Sequence, residues 1–228
     1  MSFIISGDTH GMLDIKKVTD FFAASEIEYT KDDYLIICGD VGVCAFLEEE
    51  EKAVRETLRD LPVTVLFIDG NHEHFWHLNS YPTETWNGGK IHRIEKDIIH
   101  LMRGQIFDID GTTFFTFGGA YSVDKWCRKE GFSWFPEEIP NRNEYEEGWF
   151  SLEKANFKVD YILSHTAPTD VAAEMCYGEM SDGEIELRRF LQRVADNTDF
   201  KTWYFGHFHE DTEIEDTFFC LFDNIVTL

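Results

Sequence analysis

Short apolar runs recur along the chain, and several of them stop abruptly at a glycine beside a polar residue. Residues 3–6, 33–38 and 63–68 form such runs, which predicts buried strands. Apolar side chains recur at helical spacing between these runs, over 13–22 and 54–61. The order strand, helix, strand, helix, strand predicts parallel pairing through right-handed crossovers, and therefore an α/β fold.

The pattern changes after residue 90, where short runs rich in isoleucine and phenylalanine follow one another closely. They predict antiparallel strands at 91–94, 98–102, 105–109 and 112–117. Asp110-Gly111 separates the last two runs, as a tight hairpin turn does.

Residues 118–150 show no regular period and contain Trp126, Trp134 and Trp149. We interpret this stretch as a long structured loop, a lid or insert over one end of the sheet. Regular patterns return after it. The remaining predicted elements are strands at 159–163, 202–205, 217–222 and 224–228 and a helix at 184–195.

The composition fits one compact domain spanning 1–228. Hydrophobic residues make up 43% of the chain and aromatic residues 15%, which is enough for one sizeable core. The chain has 20 Lys and Arg against 44 Asp and Glu, and its formal net charge of −24 disfavours nucleic acid as a partner because it repels polyanions. No apolar run approaches the roughly 18 residues of a membrane span, and the N-terminus lacks the features of a secretion signal. We therefore expect a cytoplasmic protein with no membrane partner.

The five cysteines lie at scattered positions, most of them beside apolar residues. Their spacing contains no C-x-x-C pair of the kind that binds zinc or exchanges disulfides. We interpret them as buried free thiols in a reducing compartment.

Each of five predicted strands is followed by a segment rich in metal-ligand side chains. In α/β folds the loops beyond the carboxyl ends of the parallel strands converge on one site, and glycine lets the backbone turn sharply beside a ligand. Five such segments are hard to explain by coincidence. They are Gly7-Asp8-Thr9-His10-Gly11, Gly39-Asp40-Val41-Gly42, Gly70-Asn71-His72-Glu73, Ser164-His165-Thr166-Ala167-Pro168 and Gly206-His207-Phe208-His209.

In this order the segments read D-x-H, G-D, G-N-H-[DE], a lone His and G-H-x-H, and the chain resembles the calcineurin-like metallophosphoesterase family from residue 8 to residue 209. The resemblance implies a four-layer α/β/β/α sandwich of two mixed β-sheets with a dinuclear metal site. It also implies the role of each side chain. Asp8, His10 and His209 would hold one metal ion, Asn71, His165 and His207 the other, Asp40 would bridge both, and His72 would protonate or stabilise the leaving oxygen.

The chemistry of these donors agrees with that assignment. Oxygen and imidazole ligands without thiolate suit Mn²⁺, Fe, Zn²⁺ or Ni²⁺, and the residues alone do not choose among these ions. We take Mn²⁺ as the first choice for two divalent or trivalent ions per chain. Two ions about 3.5–4 Å apart would turn a bridging water into hydroxide at neutral pH, so no serine or cysteine nucleophile is needed.

The substrate expected from this site is a small phosphomonoester or phosphodiester, and the sequence leaves the choice between them open. Protein phosphatases of the same superfamily carry an arginine in G-D-x-V-D-R-G, whereas the segment 39–44 reads G-D-V-G-V-C. Lys125 and Arg128, in the predicted lid, are candidates for gripping a substrate phosphate. Two alternatives stay open, a non-catalytic metal-binding or scaffold module and a nuclease-type member of the family.

Four further histidines are left out of the predicted site. His74 and His77 lie in H-E-H-F-W-H, where packing beneath a loop is the simpler interpretation. His92 and His100 fall in the antiparallel region without a ligand partner nearby in sequence, so we assign them structural roles.

Overall fold

The computed structural model describes residues 1–45, 47–178 and 180–228. Its strands form two mixed sheets. In spatial order the first sheet contains β13 (Ile225–Thr227), β1 (Phe3–Ser6), β2 (Tyr34–Ile37), β3 (Thr64–Phe67), β6 (Ile98–Leu101), β5 (Gly89–Glu95) and β4 (Thr83–Trp86). The second contains β11 (Thr212–Ile214), β12 (Phe218–Cys220), β10 (Thr202–Phe205), β9 (Tyr161–Ser164), β8 (Thr112–Phe117) and β7 (Gln105–Ile109).

Parallel pairs occupy the middle of both sheets. β1, β2, β3 and β6 run parallel in the first sheet, and β8, β9, β10 and β12 in the second. The antiparallel pairs lie towards the edges, among them the predicted hairpin of β7 and β8. Its turn has Asp110 at φ 53° and Gly111 at φ 82°, the left-handed pair that a two-residue hairpin requires.

Helices cover the outer faces of both sheets. They are α1 (Lys16–Ala24), α2 (Glu48–Asp60), α3 (Phe75–Leu78), α4 (Arg142–Lys154), α5 (Thr169–Glu174) and α6 (Ile185–Asn197). Among the described residues, no helix is long and apolar enough to cross a membrane.

Three clusters of buried hydrophobic residues lie between the four layers of the fold. Between the sheets, Ile5 and Ile36 of the first pack with Phe107 and Phe114 of the second. The opposite face of the first sheet packs against α1 and α2, and that of the second against α4, α5 and α6. Strands buried on both faces explain the continuous apolar runs of the sequence. The predicted α/β/β/α sandwich is confirmed.

The prediction of irregular structure over 118–150 is wrong from Arg142 onward, where α4 begins. Asn141 caps this helix, because its side chain accepts the backbone N–H groups of Asn143 and Glu144 while Glu144 bonds back to the Asn141 N–H. This reciprocal capping box starts a helix efficiently. Residues 118–141, called the 118–141 segment below, contain only two short 3₁₀ turns among the described elements.

The cysteine prediction needs a partial correction. All five thiols are free, and Cys38, Cys44 and Cys220 are buried as expected. Cys127 and Cys176, however, are exposed, because both lie in turns outside the core elements.

Candidate metal centre

Polar segments follow β1, β2 and β3 of the first sheet and β9 and β10 of the second, and contacts between the sheets bring these segments together. The His207 backbone N–H donates to Asp8 Oδ1 at 3.0 Å. His165 Nδ1 lies 2.7 Å from the Cys38 carbonyl oxygen. Side chains from distant parts of the chain therefore line one site.

Asp8, His10 and His209 form the first group of possible metal ligands. One ligand atom of each lies within 4.8 Å of the others. Asp8 Oδ2 is 3.4 Å from His209 Nε2 and 4.0 Å from His10 Nε2. The Asp8 side chain is fully buried while that of His209 is 51% exposed, so this group reaches from the protein interior to the solvent.

The second group is centred on Asp40 and His165. Asp40 Oδ2 lies 3.4 Å from His165 Nε2, and the same nitrogen is 3.1 Å from Asn71 Oδ1. The rings of His165 and His207 are 5.1 Å apart. Asp40 Oδ2 is also 3.5 Å from His10 Nε2, which places this carboxylate between the two groups.

His72 approaches the same carboxylate from the side of the 118–141 segment. His72 Nε2 is 4.0 Å from Asp40 Oδ2, and Arg128 Nη1 lies 2.8 Å from His72 Nδ1. Arg128 Nη2 also lies 3.4 Å from His72 Nε2. Arginine can only donate, and the shorter contact makes Nδ1 the acceptor, which leaves the ring proton on Nε2. Burial lowers the pKa of His72, which keeps the ring neutral. A nitrogen that carries a proton cannot bind a metal ion, so this tautomer favours a hydrogen-bond donor, although His10, Asp40 and His72 could also form a ligand group.

The buried carboxylates of Asp8 and Asp40 favour the binding of a cation. Burial would raise the pKa of Asp40, but the charge of His165 and hydrogen bonds from His10 and His165 hold it well below its usual range. Burial would lower the pKa of His165, but the charges of Asp40 and Asp8 raise it to about 10. Without another cation, an imidazolium compensates the two carboxylates.

The donor set and its surroundings fit transition-metal ions. Carboxylate, amide and imidazole ligands suit such ions. His165 Nδ1 faces the Cys38 carbonyl at 2.7 Å, and His10 Nδ1 faces Asp14 Oδ2 at 2.9 Å. Both contacts occupy Nδ1 and turn Nε2 towards Asp40, as outer hydrogen bonds to metal-binding histidines do.

Backbone strain is concentrated at the same residues. His10, Asp40, His207 and His209 have φ values of 41°, 51°, 70° and 53°, a left-handed conformation that is uncommon outside glycine. Strain of this kind persists only where the surrounding structure imposes it, and it is typical of functional sites.

Glycines pack directly against the ligands of other segments. A Cβ on Gly70 would lie 2.0 Å from Asp40 Oδ1, and one on Gly206 would lie 2.0 Å from Asp8 Oδ1. Neither position can carry a side chain without displacing a carboxylate. The close approach explains why glycine stands at positions 70 and 206.

Two polar residues next to the site, Ser122 and Glu138, were not predicted from the sequence. Ser122 is buried, and its Oγ and backbone N–H donate to Glu138 Oε2 and Oε1 at 2.5 and 3.0 Å. Glu138 is fully buried, and burial raises the pKa of its carboxyl group. Neither residue stands in a recognisable motif, so no sequence signal would have found them.

The two cations predicted to grip a phosphate lie in different surroundings. Arg128 Nε and Nη2 donate to Asp124 Oδ1 and Oδ2 at 2.7 and 2.8 Å, and Arg128 lines the opening of the site. Lys125 Nζ instead lies over the rings of Tyr121 and Trp134, 4.5 and 5.5 Å from their centroids. The structure therefore brings Arg128 to the site, and it places Lys125 against neighbouring aromatic rings.

The remaining histidines have local partners. His92 Nδ1 and His100 Nδ1 are 3.1 Å apart, and His100 Nε2 is 3.2 Å from Asp69 Oδ1. His74 Nδ1 accepts the His77 backbone N–H at the start of α3. These contacts agree with the structural roles assigned to these side chains.

A four-layer sandwich with carboxylates and imidazoles converging at its strand ends defines the metallophosphoesterase class of hydrolases. The family model for calcineurin-like phosphoesterases matches residues 1–211. The chain belongs to this family.

Two curated relatives are similar over most of this chain. The lariat debranching enzymes of Drosophila pseudoobscura pseudoobscura and Drosophila melanogaster are 26% and 25% identical to it over 245 residues, in each case covering 92% of the chain. The chain spans 42% and 43% of their lengths. Among solved structures, the phosphopantetheinyl hydrolase of Mycobacterium tuberculosis matches 97% of this chain and 89% of its own, with 16% identity and a TM-score of 0.49.

Proposed function

We propose that the chain is a metal-dependent phosphoesterase that hydrolyses small phosphomonoesters or phosphodiesters. The position of Asp40 carries the proposal. Its Oδ2 lies 3.5 Å from His10 Nε2 in one ligand group and 3.4 Å from His165 Nε2 in the other. A carboxylate shared by two groups of imidazoles is what a pair of adjacent metal ions requires.

The proposed ligands divide between two ions. Such ions would supply Lewis acidity and an activated water, and the oxygen and nitrogen donors suit Mn²⁺ first, with Fe, Zn²⁺ and Ni²⁺ as alternatives. Asp8, His10 and His209 hold the first ion, Asn71, His165 and His207 hold the second, and Asp40 contacts both.

His72 stabilises the leaving oxygen by donating a hydrogen bond to it. Its Nε2 carries the ring proton because Nδ1 accepts from Arg128 at 2.8 Å. That nitrogen faces the Asp40 carboxylate at 4.0 Å, next to the position where a phosphoryl group would bind. Arg128 fixes the ring and adds a positive charge at the opening of the site.

The charge distribution supports small substrates. The net charge of −24 opposes the approach of long polyanions, whereas a small phosphate ester responds mainly to the charges nearby, since the Debye length is about 8 Å at physiological salt. The five free thiols are typical of a reducing compartment, which supports a cytoplasmic location.

Reconstitution with a panel of metals tests the proposal. The chain is loaded with Mn²⁺, Fe²⁺, Zn²⁺ or Ni²⁺, its metal content is measured by elemental analysis, and hydrolysis of p-nitrophenyl phosphate and bis-p-nitrophenyl phosphate is followed. We expect two ions per chain and turnover of at least one ester. Two bound ions without turnover would instead support the scaffold alternative. Efficient cleavage of duplex DNA at about 0.15 M salt, with the small esters ignored, would support a nuclease.

A further inference from the structure

Two separate grooves open from the candidate metal centre, and Asp40 and His72 line both of them. The first, of about 490 Å³, extends beneath the 118–141 segment and includes His207 in its wall. The second, of about 410 Å³, extends over the segment after β1 and includes His10. The candidate site is therefore the junction of two grooves.

The wall of the first groove carries charged side chains, among them two arginines held by carboxylates. Asp124 holds Arg128, and Glu184 holds Arg188 through a contact of 2.5 Å between Oε1 and Nη2. Arg188 is only 3% exposed, and its Nε has no hydrogen-bond partner among the described residues. Because guanidinium groups carry several N–H donors and a positive charge, two arginines in one groove wall favour a ligand with hydrogen-bond acceptors.

The second groove is predominantly apolar. Met12 and Leu13 are 53% and 83% exposed, and they line this groove together with Val54 of α2. Glu50 is the only charged residue among its described lining residues apart from Asp40. This groove has no lysine or arginine in its described wall, so it favours an uncharged apolar group.

We propose, on the basis of the phosphoesterase function above, that the substrate is a phosphodiester with one organic arm in each groove. The phosphorus lies at the junction beside Asp40 and His72, a polar arm lies along Arg188, and an apolar arm lies over Leu13. A monoester has one arm and leaves one groove empty. Contacts in the second groove are therefore available only to a diester.

The reaction is a balanced hydrolysis. The oxygen of one water bonds to phosphorus, and the P–O bond to one arm breaks. His72 donates a hydrogen bond from its Nε2–H to the departing oxygen, and one proton of the attacking water neutralises that oxygen. The products are one alcohol and one phosphomonoester, with the second water proton on the monoester.

Two esters with the same leaving group test the proposal, because they differ only in the second arm. We expect kcat/KM for bis-p-nitrophenyl phosphate to exceed that for p-nitrophenyl phosphate by at least about tenfold. Leu13→Asp should lower this diester-to-monoester ratio by about tenfold, the usual value of one apolar contact to a substrate. The matched control is Ile27→Asp, at an apolar residue that is 60% exposed outside both grooves, and it should leave the ratio unchanged.

The outcomes separate this inference from the proposed function. Hydrolysis of the monoester as fast as the diester, or a ratio that Leu13→Asp does not change, would overturn the two-groove inference and leave the phosphoesterase intact. No turnover of either ester by the metal-loaded chain would overturn the proposed function, and the two-groove inference with it.

Discussion

The side-chain amide of Asn71 donates a hydrogen bond to Ser122 Oγ at 3.1 Å, across 51 positions of sequence. Ser122 Oγ in turn donates to Glu138 Oε2. Because the nitrogen of Asn71 is committed to Ser122, its Oδ1 faces His165 at 3.1 Å. The 118–141 segment thus sets the orientation of a proposed metal ligand.

Ser122→Ala should weaken metal binding without unfolding the chain. The substitution leaves the amide of Asn71 free to rotate, and loss of such an outer hydrogen bond typically costs 10–100-fold in metal affinity. Competition with a chelator, followed by elemental analysis, measures the change. Ser151→Ala, on α4, is the control and should retain both ions. Equal affinity in the two variants would show that Ser122 does not position Asn71.

Asp40→Asn should reduce metal content more than any other single ligand change, because Asp40 alone contacts both proposed ions. The amide removes the negative charge that holds them. We expect fewer than two ions per chain by elemental analysis, whereas Asp20→Asn, at an exposed residue of α1, should keep two. Full occupancy in Asp40→Asn would contradict the bridging role.

His72→Asn should lower turnover by roughly 10²–10³-fold, the usual cost of removing one hydrogen-bond donor from a developing oxyanion, and leave metal content unchanged. The defect should shrink with esters of better leaving groups, whose departing oxygen needs less stabilisation. Parallel measurements of kcat and of metal content separate the two roles. Loss of an ion from this variant would identify His72 as a ligand in the group it forms with His10 and Asp40.

Arg128→Ala should raise KM for small esters by about tenfold, because it removes a charge at the opening of the site. It should lower kcat as well, since His72 loses the donor at its Nδ1. Lys125→Ala removes the same charge from the same segment at a side chain that lies over aromatic rings, and it should change KM by less than about twofold. Equal effects on KM would show that the segment acts only through its overall charge.

The buried His92 predicts a loss of stability in mild acid. Burial, and then the charge of His100, lower its pKa to about 4, whereas the unfolded chain has an ordinary value near 6.5. Protonation of His92 is therefore less favourable in the folded state than in the unfolded chain. The neutral ring contributes fully to the free energy of unfolding above about pH 6.5, and this contribution is lost as the pH falls from about 6.5 to 4.

His92→Gln tests this dependence because glutamine does not titrate. Urea unfolding of the metal-free chain at pH 7 and pH 5 gives the change in unfolding free energy for each protein. The wild type should lose about 1 kcal/mol more than the variant over this range. This is about half of the roughly 2 kcal/mol that the full difference in pKa gives, because solvent in the cavity that His92 lines screens the charge. Equal losses in the two proteins would show that residues other than His92 cause the loss of stability in acid.

The strand ends were predictable because each apolar run stops where polar side chains of metal-ligand type begin. The run at 3–6 is β1 without a change of boundary, and Asp8 follows it directly. In contrast, α4 was not predicted because Gly148 and Trp149 interrupt the helical spacing of its apolar residues. Asn141 and Glu144 form a capping box that is visible in the sequence. Gly148 is required there because a Cβ would lie 2.9 Å from Phe117 Cε2.

The contacts around the site were less predictable than its ligands. Ser122, Arg128 and Glu138 act through side-chain contacts across tens of residues, and such contacts depend on how the 118–141 segment folds. No period or motif in a single sequence indicates how the 118–141 segment folds. The two grooves depend on the same fold, so they could not be predicted from the sequence either.

The hydrogen bond between the His207 backbone and Asp8 spans 199 positions. This separation determines when the site can form during synthesis of the chain. During synthesis Asp8 leaves the ribosome early and lacks His207 and His209 until all but the last three strands have been made. Closure over such a distance is a slow step. The proposed metal ions therefore cannot nucleate folding, and their uptake instead marks a chain whose two sheets have already met.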